Sequence, residues 1–553
     1  MKLNLNLNYK KIAIISLCAF VFSCLNGYFI LPQTVKFVLK KNVQLRKGSQ
    51  MRPLFENIPF PLTFKVSIFN ITNSDDILNG NKPKLNEIGP YVFDEWKLRE
   101  NLVDDDSKDT ITFTLKQIFK FRPDLSNGLT GNEEVVVPNL ILLATTMTAK
   151  QEREAFLPTI IKAMNQIFGN VSSPFVRIRA MDFMFSGMEF NCSGNEFASK
   201  VVCAAIRSEG IEQGVKVVNE THLSISLLGH KNNTDMAKFT MLRGIRDIKD
   251  LGRVVKINGD NQLSVWDGDE CNRFHGTDST IFPPFLEPDD GLWTYNHDIC
   301  MSLKAHYVRK SSYAGLPTSL YSIDFGDFMD DEKKQCFCDG TCPPRGTIDL
   351  LPCMGSRIYG TKTFLFFDIN LLTDSFVLAG SKPHFLDSDE SLLAAVEGLH
   401  PNRSKHDVYV NFEAISGTPL SGAKRLQFSL AMEPIDEYEM MSKLPTALLP
   451  LIWVEEGLEL NKTYTNLLKY QLFLAFKVNT ILKWIGIVCS TIGLIISGFV
   501  FYNEQNNKLS VTPTTTTTTI PISADGTSTK TLDDLIYLKN RVEEVQNSRN
   551  AGN

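Results

Sequence analysis

The stretch "LTFKVSIF", Leu62–Phe69, alternates apolar and polar residues along its length. In an extended chain, side chains point to opposite faces in turn, so Phe64, Val66 and Ile68 share one face and the polar residues share the other. The stretch therefore predicts a strand with one buried face, which is typical of an antiparallel sheet.

The same alternation recurs far along the chain, in "TITFTL" (Thr110–Leu115), "VYVNF" (Val408–Phe412) and "RLQFSL" (Arg425–Leu430). "GRVVKINGDNQLSVW" (Gly252–Trp266) indicates a hairpin that turns at Asn258-Gly259, a dipeptide that accepts the positive φ angles of tight turns. These patterns predict a β-rich α+β domain with an antiparallel core.

Two apolar segments flank this domain. "IAIISLCAFVFSCLNGYFILPQ" (Ile12–Gln33) and "WIGIVCSTIGLIISGFVFY" (Trp484–Tyr502) contain no charged residue, and each is long enough to cross a bilayer as a helix. The first lacks a clear cleavage site, which favours an anchor over a signal peptide. We expect a cytoplasmic tail at 1–11, spans at 12–33 and 481–502, an ectodomain at 34–480 and a cytoplasmic tail at 503–553.

Asn-x-Ser/Thr sites indicate the side of the membrane on which the middle lies. All of them fall between the spans: Asn70, Asn170, Asn191, Asn219, Asn232, Asn402 and Asn461. Such acceptors predict glycosylation and an extracellular or lumenal ectodomain. We therefore expect a multi-pass plasma-membrane protein with both termini in the cytoplasm.

"QCFCDGTCPPRG" (Gln335–Gly346) contains three cysteines within seven residues. An oxidising compartment favours disulfides over a zinc site, and the C-x-C spacing is shorter than that of most zinc sites. The ectodomain holds an even set: Cys192, Cys203, Cys271, Cys300, Cys336, Cys338, Cys342 and Cys353. We predict that all eight are oxidised, with Cys192 bonded to Cys203, and that no metal is bound.

"TAKQEREAFLPTIIKAMNQIF" (Thr148–Phe168) has a helical pattern instead. A capping-box pattern at Thr148 and Gln151 predicts its start, and Pro158 predicts a division into two short helices, with the proline at the first position of the second. This segment either covers the β core or forms a cap that faces a ligand. On the second interpretation the ligand contacts are Lys150, Arg153, Phe156, Ile160, Lys162 and Met164.

Composition and motifs argue against several other functions. The net charge of −5 gives no basic excess for nucleic acid. "GTPLSGAKR" (Gly417–Arg425) places Ala423 where a phosphate loop needs its lysine, and neither H-E-x-x-H nor G-x-S-x-G occurs. We expect no enzyme and no cofactor. The tail contains "TPTTTTTTIP", a polar linker, and "TLDDLIYLKNRVEEVQNS", which has a short helical pattern.

Seven motifs together resemble the class B scavenger receptor family, which includes the fatty-acid translocase and the lysosomal integral membrane protein. They are "LNGYFILP", "EIGPYVFDEW", "CNRFHGTDSTIFPPF", "QCFCDGTCPPRG", "PHFLDSD", "ISGTPLSGAKRLQ" and "PLIWVEEGLELNKT". Within that family, "CPPRG", "PHFLDSD" and "WVEEGLELNKT" are most similar to the insect sensory neuron membrane proteins.

The resemblance implies an antiparallel β-barrel-like ectodomain with an apical helical bundle and an internal hydrophobic tunnel. It implies disulfides Cys271–Cys336, Cys300–Cys353 and Cys338–Cys342; the pair Cys192 and Cys203 departs from that pattern.

The implied function is a cell-surface lipid-binding receptor or co-receptor. It would capture hydrophobic ligands such as fatty-acid-derived pheromones and deliver them to the membrane or to an odorant receptor in olfaction. The expected partners are the lipid or pheromone, the membrane, an odorant receptor complex and an odorant-binding protein. Two other classes share the topology: a two-span ligand-gated channel subunit, and an ecto-hydrolase.

Overall fold

The computed structural model describes residues 8–152, 154–169, 171–209, 214–338, 342–353 and 377–509. The predicted Thr-rich linker and the helical pattern of the C-terminal tail lie outside these residues. The strands are β1 Leu62–Ile71, β2 Leu85–Asp105, β3 Thr110–Phe121, β4 Glu134–Pro138, β5 Phe175–Arg179, β6 Met188–Asn191, β7 Val215–Val217, β8 His222–Ile225, β9 Thr234–Leu242, β10 Val254–Ile257, β11 Leu292–Asn296, β12 Met301–Tyr313, β13 Leu316–Ser322, β14 Thr347–Asp349, β15 Leu378–Ser381, β16 Tyr409–Glu413, β17 Thr418–Met432 and β18 Ala447–Glu459.

Thirteen strands of the described chain form one antiparallel sheet that nearly closes into a barrel. Its main path runs β10, β9, β3, β2, β1, β18, β17, β16, β13, β12, β11, and β14 joins through β15 to β17. The stretch Leu62–Phe69 lies within β1, which pairs with β2 on one side and with β18 on the other. The first of these strands therefore pairs with the last, β18, so the sheet cannot be completed until most of the chain is present.

A short segment, Gly276-Thr277, joins the two ends of this path. The Gly276 carbonyl accepts a hydrogen bond from Val254 N on β10 (2.9 Å), and Thr277 N donates to the Trp293 carbonyl on β11 (3.1 Å). Gly276 has φ 81°, and a Cβ there would lie 2.6 Å from the Trp293 Cβ, so the close approach requires glycine. We call this segment the closing strap.

The predicted strands are confirmed, whereas one arm of the predicted hairpin is wrong. The apolar face is buried as predicted in β1 and β3, but in β17 Gln427 and Ser429 are fully buried. Asn258 and Gly259 do turn with positive φ. However, β10 pairs with β9, the strand that precedes it in the chain. The described segment after the turn forms no strand with β10, and an isolated bridge between Ile257 and Asp260 is the pairing across the turn. The Asn-Gly dipeptide determines where the chain bends. Which strand pairs with β10 is determined by β9, which lies next to it in the sheet.

The helices of the described ectodomain are mostly short: Met51–Glu56, Ser74–Ile77, Leu140–Glu152, Leu157–Phe168, Phe197–Glu209, Asp269–Asn272, Glu390–Ala394, Arg403–His406 and Lys462–Leu467. The three long ones, Leu140–Glu152, Leu157–Phe168 and Phe197–Glu209, form the helical bundle, which we call the cap.

The cap differs from the sequence prediction at its start. Its first helix begins at Leu140, eight residues before the predicted Thr148, and the Asn139 side chain accepts a hydrogen bond from Leu142 N (3.2 Å). Pro158 lies one position into the second helix, which begins at Leu157. The prediction missed the first two turns because "LILLATTM" is apolar on all sides and shows no helical period.

Two helical runs at the chain ends are long and apolar enough to span a membrane, Tyr9–Val43 and Lys462–Asn506. Between them, Ser16 and Ser23 approach glycines: a Cβ on Gly493 would lie 3.1 Å from the Ser16 Cβ, and one on Gly486 would lie 3.0 Å from the Ser23 Cβ. The two serines are seven residues apart and so are the two glycines, a spacing of two helical turns that keeps small residues on one face of each helix. Ala19, which lies between the two serines in sequence, is exposed and outside this face.

Candidate functional site

A cavity of about 380 Å³ lies against the barrel strands β1, β2, β3, β13, β17 and β18. Most of its wall is apolar, as with Phe64, Phe119, Leu426, Phe428 and Val454. Its lining also includes residues from the ectodomain ends of the two long helical runs, among them Val43 and Leu468. Its volume falls within the range of roughly 300–1,000 Å³ that is usual for small-molecule sites.

Charged side chains interrupt this apolar wall, because the alternation along β2 is inverted. In "DEWKLRE" (Asp94–Glu100), Glu95, Lys97 and Arg99 are buried at 1 %, 8 % and 5 % exposure, while the residues between them are partly exposed. The apolar Trp96 and Leu98 thus lie on the more exposed face of the strand, where charged residues are usually found. Sequence reasoning missed these residues. The one available signal was a charge at every second position of a strand.

Glu95 and Lys97 lie with Lys424 of β17 and Glu456 of β18, and we call these four together with Arg99 the charged band. Lys97 Nζ lies 2.6 Å from Glu456 Oε2 and 3.6 Å from Glu95 Oε1, and Lys424 Nζ lies 3.7 Å from Glu456 Oε1. Buried charges are tolerated when they pair in this way. Glu95, Lys97, Lys424 and Glu456 therefore form a connected network across three strands.

Arg99 is the most tightly held member of the band. Its Nη2 lies 2.8 Å from Asp278 Oδ2 and donates to Thr280 Oγ1 (2.6 Å), and its guanidinium lies 4.1 Å from the centre of the Phe55 ring. Asp278 directly follows the closing strap in sequence. The strap is therefore tied to the barrel interior as well as to the sheet edges.

The protonation of the band follows from burial and from its own charges. Burial raises the pKa of the Glu95 carboxyl, and Lys97 opposes the shift without cancelling it. Burial acts in the same sense on Glu456, but the ammonium groups of Lys424 and Lys97 outweigh it and lower the Glu456 pKa. The pKa values of the two neighbouring carboxyls are thus shifted in opposite directions, and Glu95 holds a proton more readily than Glu456.

The predicted ligand contacts of the cap lie elsewhere. Lys150 Nζ donates to the Pro434 carbonyl, and Lys162 Nζ lies 2.8 Å from Glu196 Oε2 on the surface. Phe156 is 42 % exposed, Ile160 is partly buried and Met164 is fully buried in the core. Arg153 lies outside the described residues. Of the five that are described, none lines the cavity, and a ligand role for all six stays a prediction.

All eight ectodomain cysteines are in disulfides. The pairs are Cys192–Cys203, Cys271–Cys336, Cys300–Cys353 and Cys338–Cys342. Three are the pairs that the resemblance implies, and the fourth ties the cap helix Phe197–Glu209 to the end of β6. The cysteine cluster at 336–342 thus serves as disulfides in this structure.

The glycosylation acceptors remain predictions, but the structure shows their surroundings. Asn191, Asn219, Asn402 and Asn461 are exposed, and each accepts a hydrogen bond at Oδ1 from a backbone N–H two residues later. Asn70 and Asn232 are partly buried and accept through Oδ1 from Val136 N and Phe119 N. Asn170 lies outside the described residues. A glycan is attached through Nδ2, so these bonds leave the acceptor atom unused.

A second polar cluster surrounds His384 in the motif "PHFLDSD". Its Nε2 lies 3.0 Å from Glu87 Oε2, Trp453 Nε1 donates to Glu87 Oε1 (3.0 Å), and its ring stacks on His406 at 4.2 Å. Burial, reinforced by His384, lowers the His406 pKa to about 4. These groups satisfy one another, which gives this motif a structural role.

Comparisons with known proteins agree with this architecture. The CD36 family model matches residues 14–501. The chain is 44% identical over 531 residues to "Sensory neuron membrane protein 1" of Anopheles gambiae, covering 94% of this chain and 92% of the relative. It is 47% identical over 476 residues to the protein of the same name from Aedes aegypti, covering 86% and 84%. It is 39% identical over 494 residues to that of Plutella xylostella, covering 89% and 90%. The chain belongs to the CD36 family.

Proposed function

We propose that the protein is a lipid-binding receptor or co-receptor of a sensory-neuron surface, which takes up a long apolar ligand and passes it to the membrane or to an adjacent odorant receptor. The observation that carries this proposal is the apolar cavity of the barrel. The names of the relatives support the cell type, and family membership favours a receptor over an enzyme.

The energetics of the cavity favour an aliphatic chain. At about 0.8 kcal/mol per buried methylene, a chain of about fourteen carbons gains roughly 10 kcal/mol from burial. An exposed ion pair contributes at most about 1 kcal/mol. Apolar contact with the wall therefore sets the affinity, and surface charge sets the rate of capture.

Delivery to the membrane is supported by the order of elements along the chain. Tyr464, Leu467 and Leu468 line the cavity and lie in the first turns of the second helical run, and Val43, which also lines the cavity, closes the first. We also propose a plasma-membrane location with both termini cytoplasmic, because all seven glycosylation acceptors lie between the spans.

Direct binding tests the proposal. Purified full-length protein in detergent micelles is titrated with hexadecyl acetate, and occupancy is measured by native mass spectrometry. We expect one saturable site, because the cavity holds one aliphatic chain. A correctly folded protein that binds neither hexadecyl acetate nor hexadecane would leave a scaffold role in a receptor complex as the better interpretation.

The cap is proposed as the place of capture. Replacing Lys150, Arg153 and Lys162 by Gln should slow uptake of palmitate several-fold in stopped-flow measurements and weaken its salt dependence, because cationic side chains attract an anionic head. Equilibrium occupancy should change little, since burial of the chain sets affinity.

The matched control replaces Lys47, Lys84 and Lys108, three exposed lysines outside the cap that also lie near carboxylates. Equal slowing in both triple variants would show a general charge effect and would remove the cap from the pathway.

A further inference from the structure

The wall of the cavity contains polar atoms whose bonding is incomplete. Glu95 Oε1 accepts from Gln117 Nε2 (2.9 Å), while Glu95 Oε2 has no hydrogen-bond partner among the residues that the structure describes. Arg99 Nε is likewise unpartnered within the described chain. Both side chains line the cavity and are almost fully buried. A buried polar atom without a partner is costly to maintain, so such atoms are expected where a ligand supplies the missing bond.

The charges around these atoms are already balanced. The band and its partner Asp278 comprise three acids (Glu95, Glu456 and Asp278) and three bases (Lys97, Arg99 and Lys424). While Glu95 is ionised, an anionic head would enter this region without a spare cation and would lose its hydration as well. An uncharged polar group adds no charge and needs only hydrogen bonds.

We infer that the charged band, through Glu95, binds an uncharged oxygen group of an elongated apolar ligand: a hydroxyl, an aldehyde or an ester. Glu95 Oε2 accepts from a hydroxyl, or, when the carboxyl is protonated, donates to a carbonyl oxygen. The aliphatic chain lies against the apolar wall on either side. This inference rests on the proposed function and adds the class of ligand head group to it.

The protonation of Glu95 is consistent with this role. Because burial raises its pKa, the carboxyl reaches the hydrogen-bond-donating form more easily than an exposed glutamate does. Gln117 and Lys97 hold the other oxygen, so the orientation of Oε2 is fixed before the ligand arrives.

Four probes with the same sixteen-carbon chain test the inference: hexadecane, hexadecan-1-ol, hexadecyl acetate and palmitate. Each is titrated at equal ligand-to-detergent ratio into the full-length protein, and occupancy is read by native mass spectrometry. In the unmodified protein, the alcohol and the acetate should bind more tightly than hexadecane and palmitate. Glu95→Leu should weaken the alcohol and the acetate roughly ten-fold, as expected for the loss of one hydrogen bond, and leave hexadecane unchanged.

The controls separate the polar contact from general damage. Glu95→Gln keeps an acceptor and a donor and should retain most of the alcohol binding. Glu100→Gln alters the same strand at a side chain that is 43 % exposed and outside the cavity wall, and it should change nothing. If Glu95→Leu does not fold, the order of the four affinities measured on the unmodified protein still tests the inference.

The outcomes are distinguishable. Binding of hexadecane with no preference for the alcohol or the acetate would overturn the inference and leave the proposed function intact. Binding of palmitate more tightly than the alcohol and the acetate would also overturn the inference. Failure of all four probes to bind would remove the proposed function itself.

Discussion

Val454→Trp combined with Leu458→Trp should reduce the affinity for hexadecyl acetate about a hundred-fold. Both positions belong to β18 and line the cavity, four residues apart and therefore on the same face of the strand. Two indole rings that exclude about four methylenes from the wall would remove roughly 3 kcal/mol of burial. Delivery should be lost with binding, measured as transfer of the ligand from micelle-bound protein to acceptor vesicles.

Overpacking of a barrel also costs stability, typically about 1–3 kcal/mol, so a folded control is required. Val103→Trp introduces the same ring at a position that is 62 % exposed and outside the cavity wall. We expect it to bind and deliver normally. The cavity would not be the route if the double-tryptophan variant reached the cell surface and still delivered ligand at the original rate.

Removing the Cys300–Cys353 disulfide should lower the free energy of unfolding by about 4 kcal/mol, and replacing Cys338–Cys342 by about 2 kcal/mol, from loop-closure entropy. The first bond closes a separation of 53 residues and the second a separation of 4. Since proteins of this kind are stable by roughly 5–15 kcal/mol, the Cys300→Ser, Cys353→Ser variant should reach the cell surface poorly. Urea unfolding and surface biotinylation would measure both effects.

The Cys338→Ser, Cys342→Ser variant is the matched control, because it removes the same number of sulfur atoms from the same subdomain. Cys300 and Cys353 also lie in a buried cluster with Ile299, Ile348 and Leu350, which adds to their effect. Equal losses in the two variants would show that local strain or trafficking determines the outcome instead of loop length.

Much of the fold could be predicted from the sequence because its strands follow a local rule. Phe64, Val66 and Ile68 are buried as alternation requires, and so are Ile111 and Phe113. The hairpin after Asn258 failed, since its partner strand lies elsewhere in the chain. The helix at Leu140 was missed because its residues are apolar all round and its cap, Asn139, precedes an unmarked segment.

The charged band could not be predicted from the sequence. Glu95 and Lys97 are tolerated inside because Glu456 and Lys424, more than 300 residues later, compensate them across neighbouring strands, and Arg99 is tolerated because Asp278 pairs with it. No local pattern contains that information. The predicted cap contacts, by contrast, rest on a local pattern, because an apolar stripe at helical spacing can be read from the sequence. How deeply each side chain of the stripe is buried cannot be read in this way, and Met164 is fully buried.

The closing strap has a consequence for the life of the chain before it reaches the membrane. An open sheet of thirteen strands would expose two rows of unpaired N–H and C=O groups, which recruit strands of other chains and start aggregation. Gly276 and Thr277 bond to one group on β10 and to two on β11, and so close part of each edge without adding a further strand. The conformation that a single glycine permits thus leaves fewer open hydrogen-bonding groups with which another newly made chain could pair.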